Sequence, residues 1–407
     1  MSQTLHDRAL AYHQEGRPGK INVTSHKKLD NDQDLSLAYS PGVAAPVREI
    51  VKDPAAVNKY TIKGNLVAVI TDGSAVLGLG NVGPLAAKPV MEGKAVLFKR
   101  FAGIDVFNIE LDTQDVDEIV STIKNIAPTF GGINLEDISA PRCFEIEKRL
   151  IDELDIPVFH DDQHGTAIIV AAGLLNAIEI QEKNFKEVKI VCAGAGSAGI
   201  ATLNLLLELG FSKDNILLVD RNGVVSIKSK NLSKEKLAFA ADTDKKTLSD
   251  AIDDSDVFIG VARGNLVTQE MVKSMAKRPI IFALSNPDPE ISPVDVYACR
   301  DDVLMATGRS DYPNQVNNVL GFPYIFRGAL DANSKIINTE MKIAAVHALK
   351  DLVKLPAPKE LLEIYKDSSL TFGKGYFIPK PFDPRLIEVV PRAIFDAAVV
   401  SGASRQK

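Results

Sequence analysis

A glycine pattern near residue 194 constrains the fold of this chain more than any other feature. The stretch Val188-Lys-Ile-Val-Cys-Ala-Gly-Ala-Gly-Ser-Ala-Gly has the spacing G-x-G-x-x-G directly after an apolar run. A helical pattern follows, and a second apolar run, Ile216–Val219, ends at Asp220. Strand, glycine turn, helix and strand in this order predict a parallel βαβ unit.

Such a glycine turn is typical of dinucleotide binding. Glycine lets the chain turn tightly and lets a pyrophosphate approach the backbone, and the helix start offers free amides to that anion. Asp220 lies 21 residues after Gly199, where an acid binds the adenine ribose hydroxyls of NAD. Arg221, with Lys228 and Lys230 close by, would instead neutralise the 2′-phosphate of NADP, so both cofactors stay open. The predicted cofactor-binding residues are Gly194, Ala195, Gly196, Ser197, Ala198, Gly199, Asp220 and Arg221.

Alternating apolar runs and helical patterns predict an α/β fold with two domains. We expect an N-terminal α/β catalytic domain over residues 1–160, followed over residues 161–407 by a Rossmann-type, doubly wound parallel sheet with C-terminal helices. A chain of 407 residues should bury two cores rather than one, and the first ~30 residues read as weakly structured. The predicted strands are Leu66–Thr71, Val106–Leu111, Pro157–Phe159, Ile216–Val219, Val257–Val261, Pro279–Leu284 and Val303–Ala306, and the predicted helices lie near residues 85–101, 115–126, 142–153 and 165–180.

Adjacent carboxylates end two of the apolar segments. Ile133-Asn-Leu runs into Glu136 and Asp137, and Val158-Phe-His runs into Asp161 and Asp162. Because the carboxyl ends of parallel strands share one edge of a sheet, the four acids would meet and repel one another unless a cation lies among them. An oxygen-rich ligand set suits Mg²⁺ or Mn²⁺ better than Zn²⁺. The alternative is that these acids cap helices.

The segment Pro89-Val-Met-Glu-Gly-Lys places Lys94 within a mostly apolar helix. A hydride-accepting cofactor beside a divalent cation suggests oxidation of a hydroxy acid, which requires a proton acceptor for the hydroxyl group. A lysine desolvated near a metal cation has its charged form disfavoured, so Lys94 would be neutral and basic near neutral pH. The alternative is a surface lysine whose stem packs on apolar neighbours.

Composition argues against several other classes of function. A net charge of −6 without any basic run does not suit nucleic acid as a partner. The longest apolar run, Ala167–Ile178, is too short to cross a bilayer, and no export signal is visible, so we expect a soluble cytoplasmic protein. Cys143, Cys192 and Cys299 match neither a metal-binding nor a disulfide spacing.

Several motifs together resemble one known family. They are Leu37-Ala-Tyr-Ser-Pro-Gly-Val-Ala, Thr71-Asp-Gly-Ser-Ala-Val-Leu-Gly-Leu-Gly-Asn, Glu92-Gly-Lys, Leu135-Glu-Asp, His160-Asp-Asp-Gln-His-Gly-Thr-Ala and Ser285-Asn-Pro. In this order they resemble the malic enzymes, in particular the short bacterial form, from about residue 17 to residue 395. The resemblance implies oxidative decarboxylation of L-malate to pyruvate and carbon dioxide, reduction of NAD or NADP, a Mg²⁺ or Mn²⁺ ion, and a homodimer.

The resemblance also implies roles for individual residues. Lys94 would be the general base that takes the hydroxyl proton, and Tyr39 the general acid that protonates the enol carbon. Asp161 would lie beside the metal and complete the catalytic set. Asn286 and Asn318 would touch the substrate and the nicotinamide end of the cofactor. The implied metal ligands are Glu136, Asp137 and Asp162.

One position departs from the family pattern. Larger eukaryotic members carry an arginine after the Asp-Gly pair to clamp a substrate carboxylate, whereas this chain has Ala75. We expect Lys88, or backbone amides near Gly78–Gly83, to hold that carboxylate. Three alternatives stay open: a malolactic enzyme that retains NAD, a metal-independent amino-acid or folate-type dehydrogenase, and a non-catalytic nucleotide sensor.

Overall fold

The computed structural model describes residues 4–76 and 78–405. The chain begins with helices α1 (Leu5–Gln14), α2 (Asp32–Ala38), α3 (Ala44–Lys52) and α4 (Val57–Tyr60). No residue of α1, α2 or α3 is buried. These helices therefore gain little stability from packing against their own chain.

A four-stranded parallel sheet forms the first half. Its elements are β1 (Leu66–Thr71), α5 (Pro84–Ala102), β2 (Asp105–Glu110), α6 (Val116–Ile126), β3 (Gly132–Leu135), α7 (Arg142–Glu153) and β4 (Val158–His160). The strand order is β2-β1-β3-β4. All residues of β1 are buried, as expected of a continuous apolar strand inside a parallel sheet.

The helix α8 (Asp161–Ile180) joins this sheet to a second one. The second sheet and its helices are β5 (Ile190–Ala193), α9 (Ser197–Glu208), β6 (Ile216–Asp220), β7 (Gly223–Val224), α10 (Lys234–Leu237), α11 (Leu248–Ile252), β8 (Val257–Gly260), α12 (Gln269–Ser274), β9 (Ile280–Ala283), α13 (Pro293–Cys299) and β10 (Leu304–Thr307). The strand order is β10-β9-β8-β5-β6-β7, and only the β6–β7 pair is antiparallel. Because β5 lies between β6 and β8, the loop after β5 opens where the strand order reverses, which is where such sheets bind ligands.

Four helices complete the described chain, and the second of them packs against α8. They are α14 (Phe322–Asp331), α15 (Thr339–Leu352), α16 (Lys359–Tyr365) and α17 (Leu386–Val400). One hydrophobic cluster contains Val67 and Phe98 from the first half, Ile169 of α8, and Phe282 from the second half. The helix α8 is long and apolar enough to cross a membrane, but most of it is buried inside the protein, as in a core helix.

The predicted α/β class and the βαβ order are confirmed, and the predicted strands overlap the observed ones within a residue or two. The structure has several hydrophobic clusters rather than the two cores expected: one belongs to the first sheet and one to the second, but the largest joins both halves through α8. For the same reason the domain boundary between residues 160 and 161 stays a prediction.

Two helix boundaries also differ from expectation. The helix predicted from Gly165 begins at Asp161, so Asp161 and Asp162 lie in its first turn, where acids are favoured by the helix dipole. The N-terminal region, expected to be weakly structured, contains α1. This helix is capped by reciprocal hydrogen bonds between Thr4 and Asp7, a local signal that the sequence reading missed.

Candidate active site

Acidic residues follow three neighbouring strands at one edge of the first sheet. Asp72 follows β1, Glu136 follows β3, and Asp161 follows β4. The register pairs Leu135 with His160, which brings Glu136 and Asp161 side by side. Glu136 and Asp161 are buried. The predicted meeting of the acids from the two segments is therefore observed.

Three of the four acids that follow β3 and β4 are arranged as a cation site would require. One ligand oxygen each from Glu136, Asp137 and Asp162 lies within 4.8 Å of the others. Asp137 Oδ2 is buried without a hydrogen-bond partner among the described residues. Asp137 also has a φ of 54°, an uncommon left-handed conformation that is typical of functional positions.

The electrostatics of this cluster point in the same direction. Burial raises the pKa of Glu136, and burial together with the carboxylate of Asp162 raises the pKa of Asp137 to about 8. Ionising these acids in a buried position is costly unless positive charge compensates them. The donor set, made of oxygens only, therefore fits Mg²⁺ or Mn²⁺.

Lys94 reaches this cluster from α5. Its Nζ lies 2.7 Å from Asp161 Oδ2 and 2.9 Å from Glu136 Oε1, and the side chain is only 11% exposed. The ammonium group also lies 4.4 Å from the centre of the Phe322 ring. The alternative of a surface lysine is thereby excluded.

The sequence predicts a neutral Lys94, but in the polypeptide without a metal ion the environment of this lysine favours the charged form. Burial lowers the pKa of Lys94, but attraction to Asp161 and Glu136 outweighs burial and raises this pKa above its ordinary value. The lysine therefore holds its proton as long as both carboxylates face it. A cation that draws Glu136 away would reduce this attraction.

The two predicted asparagines make different contacts with the first half of the chain and with α8. Asn318 donates from Nδ2 to Asp161 Oδ2 at 3.2 Å and accepts from Thr166 Oγ1 at 3.0 Å. Asn286 follows β9, and a side chain at Gly78 would collide with its carbonyl group, so the glycine-rich loop after β1 contacts it closely. The structure thus brings a loop of the first sheet against the end of a strand of the second.

Tyr39 lies at the end of α2 and is 70% exposed. Among the described residues, its side chain makes no hydrogen bond or ring contact with Lys94 or with the carboxylates. Within one chain, the structure therefore does not join Tyr39 to the rest of the predicted site.

The glycine turn after β5 has the predicted geometry. Gly194 has a φ of 120°, and a Cβ there would lie 2.6 Å from the carbonyl oxygen of Val261. A Cβ at Gly199 would lie 1.9 Å from the carbonyl oxygen of Gly194, so only glycine allows α9 to approach the strand. A Cβ at Gly196 would meet nothing within 4 Å, which leaves space for a pyrophosphate at the start of α9.

Asp220 is less free than the sequence suggested. Its Oδ2 lies 2.6 Å from Lys236 Nζ, and its Oδ1 accepts from the backbone N–H of Asn222 at 2.8 Å. Asp220 lines a cavity of about 800 Å³. The basic side chains that line it are Arg221, Lys236, Lys246 and Arg263.

Lys236, Lys246 and Arg263 were not predicted, because no local motif links them to the glycine turn. Lys228, which the sequence did suggest, instead pairs with Asp244 at 2.9 Å. Apart from the predicted Arg221, the positive charge near Asp220 therefore comes from residues that the sequence did not suggest.

Glu147 of α7 is a further buried residue that the sequence reading missed. Its carboxylate accepts from the backbone N–H of His160 at 2.9 Å and from Gln163 Nε2 at 3.1 Å, and it lies 3.0 Å from His164 Nε2. Burial opposes ionisation of Glu147, but His164 outweighs it and lowers the pKa of Glu147 to about 2. One carboxylate thus holds three residues of the segment that carries Asp162.

The loop that contains Ala75 is fixed by Arg142, a residue that the sequence did not suggest. Arg142 Nη1 lies 2.9 Å from Asp72 Oδ2, and its Nη2 donates to Ser74 Oγ at 3.0 Å. Lys88 lies 3.2 Å from Glu110 Oε2 and thus already has a carboxylate partner. Its contact with a substrate stays a prediction.

Known proteins resemble this chain over its whole length. Two family descriptions match: "Malic enzyme, N-terminal domain" over residues 18–151 and "Malic enzyme, NAD binding domain" over residues 163–365. The NADP-dependent malic enzyme of Halomonas elongata is 55% identical over 406 residues, which cover 100% of this chain and 96% of that protein. The NADP-dependent malic enzyme of Rhizobium meliloti is 54% identical over 407 residues, and this chain spans only 54% of its length. The crystal structure of malic enzyme from Pyrococcus horikoshii has a TM-score of 0.89 and 42% identity, and the match covers 99% of this chain and 93% of that one.

Proposed function

Since this chain belongs to the malic enzyme family, we propose that it catalyses the metal-dependent oxidative decarboxylation of L-malate to pyruvate and carbon dioxide, with reduction of NADP. The observation that carries the proposal is the acid cluster of Glu136, Asp137 and Asp162, in which the first two residues are buried and which adjoins the Lys94–Asp161 pair. This cluster lies at the carboxyl edge of its sheet, and the glycine-rich loop after β1, at the same edge, contacts Asn286 of the second half. A substrate there would lie between a cation site and a dinucleotide site.

Each group in the cluster has a distinct task in this proposal. Glu136, Asp137 and Asp162 would hold Mg²⁺ or Mn²⁺, which when bound supplies an electron sink for the loss of carbon dioxide. Lys94 would act as a neutral amine, which requires the cation to draw Glu136 away from it, and its Nζ would then accept the proton of the C2 hydroxyl as hydride is transferred to the dinucleotide. Asp161, 2.7 Å from that Nζ, orients the amine and stabilises the ammonium that forms. Asn318 fixes Asp161 in turn.

The cavity around Asp220 favours NADP over NAD. An acid selects NAD by accepting hydrogen bonds from both ribose hydroxyls, but Lys236 and Asn222 already occupy the two carboxylate oxygens of Asp220. Arg221, Lys246 and Arg263 line the same cavity. A 2′-phosphate would therefore meet a surplus of positive charge.

A second copy of the chain completes the site in this proposal. Tyr39 lies on a surface formed by α2 and α3, on which Leu37, Val43, Val47 and Val51 are also exposed. Several exposed apolar side chains on neighbouring helices are typical of an interface, and most homodimers bury the same surface on both copies. In the homodimer, Tyr39 of one protomer would protonate the C3 carbon of the enol in the site of its partner.

The cysteines support a cytoplasmic location. All three thiols are free, and Cys143 and Cys192 are buried, so nothing ties the chain to an oxidising compartment.

The test is an assay of L-malate turnover with Mn²⁺, in which NADP and NAD are compared, reduced cofactor is followed by absorbance, and pyruvate is trapped. We expect stoichiometric pyruvate and NADPH, lost in chelator and restored by Mn²⁺. Lactate without reduced cofactor would indicate a malolactic enzyme. Full activity in chelator would indicate a metal-independent dehydrogenase, and cofactor binding without turnover would indicate a nucleotide sensor.

A further inference from the structure

A separate cavity of about 600 Å³ lies at the opposite edge of the first sheet. Its lining includes Asn65, Gly131 and Ile156, which stand just before β1, β3 and β4, together with residues from the end of α14 and from the C-terminal segment. The acid cluster follows the carboxyl ends of the same strands. The length of β1, six residues, puts the two sites roughly 20 Å apart.

Basic side chains dominate this cavity. Four of them line it and only one carboxylate does: Lys59, Lys63, Arg327, Arg405 and Asp331. The chain as a whole carries a formal net charge of −6, so the positive charge of this cavity is opposite in sign to that of the whole chain. Its volume is within the range of small-molecule sites.

Internal ion pairs neutralise only half of this charge. Arg327 Nη2 lies 2.6 Å from Asp331 Oδ1, and Arg405 Nη2 lies 2.6 Å from Asp155 Oδ1. Neither Lys59 nor Lys63 has a carboxylate within ion-pair distance in the part of the chain that the structure describes.

The ammonium group of Lys63 is held by backbone alone. It donates to the carbonyl groups of Phe130 and Ala127, and its side chain is about half buried. Burial and the nearby guanidinium of Arg405 lower the pKa of Lys63. Lys63 and Arg405 thus face one cavity, and in the described part of the chain only Arg405 has a carboxylate partner, so Lys63 carries a free-energy cost that a bound anion would recover.

One helix connects this cavity with the candidate active site. Arg327 of α14 lines the cavity and donates from Nη1 to Asn65 Oδ1 at 2.6 Å. Phe322, at the other end of α14, lies 4.4 Å below the ammonium of Lys94. A shift of α14 would therefore move the Phe322 ring relative to the ammonium group of Lys94.

We propose that this cavity is a binding site for a small polyvalent anion, a metabolite that carries phosphate or several carboxylates, and that its occupant acts on the catalytic site through α14. Binding needs only the cavity. The action on catalysis rests on the function proposed above.

The test measures binding of inorganic pyrophosphate by calorimetry to protein saturated with NADP, so that the dinucleotide site is filled, and without divalent cation. We expect one saturable site per chain. The double variant Lys63→Gln with Arg405→Gln should bind at least about tenfold more weakly, since each loses a charge-assisted hydrogen bond. Lys59→Gln, an exposed change that leaves the fold intact, should weaken binding about threefold. Lys277→Gln, an exposed lysine that does not line the cavity, is the matched control.

Amide hydrogen exchange locates the site. In the wild type, pyrophosphate should slow amide exchange in residues 57–65 and in α14. In the double variant, pyrophosphate should not change the exchange of these residues. Repeating the titration with citrate shows whether phosphate or carboxylate is preferred. Absence of saturable binding, or equal affinity in all variants, overturns the proposal. Because no malate is present, this outcome is independent of the decarboxylase assay.

Discussion

The ammonium of Lys94 and the carboxylate of Asp161 lie 2.7 Å apart and join α5 to the first turn of α8. The pair is buried, and Glu136 shares the same ammonium at 2.9 Å. The proposed function therefore couples proton transfer to cation binding, because Glu136 contacts Lys94 and also belongs to the acid cluster. Removing Lys94 should affect the two processes differently.

Lys94→Met should lower malate turnover by about 10³-fold, in the range of a lost general base. It should not weaken Mn²⁺ binding, since the substitution removes a cation that competes for Glu136. Steady-state kinetics and a Mn²⁺ titration check the two parts. Lys99→Met, on the same helix and paired with Asp105 at the surface, is the control. Equal loss of turnover and of Mn²⁺ affinity would show that Lys94 serves the cation site instead.

Metal affinity should rise with pH between about 6 and 8, because burial and Asp162 raise the pKa of Asp137 to about 8 and Mn²⁺ must displace that proton. An unfolded aspartate loses its proton near pH 3.9, so folding takes up a proton between these values. In chelator, the stability of the protein should therefore fall as pH rises through this window. Calorimetric Mn²⁺ titrations at three pH values, with melting curves in chelator, test both signs. An affinity independent of pH would contradict the assignment of Asp137 as a ligand.

Glu147→Gln should weaken Mn²⁺ binding about tenfold, although Glu147 is not among the three acids of the cluster. Glutamine keeps the shape but loses the charge that faces His164, and the segment from His160 to Asp162 is then held less firmly. NADP affinity should not change, which separates this effect from general loss of folding. Glu145→Gln, an exposed residue on the same helix, is the matched control.

The sequence predicted those parts of the site that follow from strand topology. Glu136 and Asp161 meet because parallel strands end at a common edge of the sheet. The glycine turn has its predicted form because a side chain at Gly194 or Gly199 would collide with nearby backbone. Lys236 could not be predicted, because a one-turn helix 16 residues after Asp220 folds back onto it through tertiary contacts alone. The protonation state of Lys94 could not be predicted from the sequence either, because the direction of its pKa shift depends on the distances from Nζ to two carboxylates.

Tyr39 should act in the site of the partner subunit. Tyr39→Phe and Lys94→Met should each be nearly inactive, but co-refolded in equal amounts they should recover about one quarter of wild-type activity, since half of the dimers are mixed and each mixed dimer has one intact site. If Tyr39 serves its own chain, every site keeps one defect and no activity returns. Tyr12→Phe, another exposed tyrosine of the N-terminal helices, replaces Tyr39→Phe in the control mixture, and about half of the activity is then expected, because only the sites of the Lys94→Met chains are lost.

Lys236→Gln should shift the cofactor preference from NADP toward NAD by changing the KM values of both cofactors in opposite directions. Loss of the ammonium removes a partner for the 2′-phosphate, so the KM for NADP should rise about tenfold. The same change frees Asp220 Oδ2, which lies 2.6 Å from Lys236 Nζ in the wild type, to accept from a ribose hydroxyl, so the KM for NAD should fall. A merely structural role for Lys236 would raise both KM values together. Lys228→Gln removes a lysine that pairs with Asp244 outside this cavity and should leave the ratio of kcat/KM for the two cofactors unchanged.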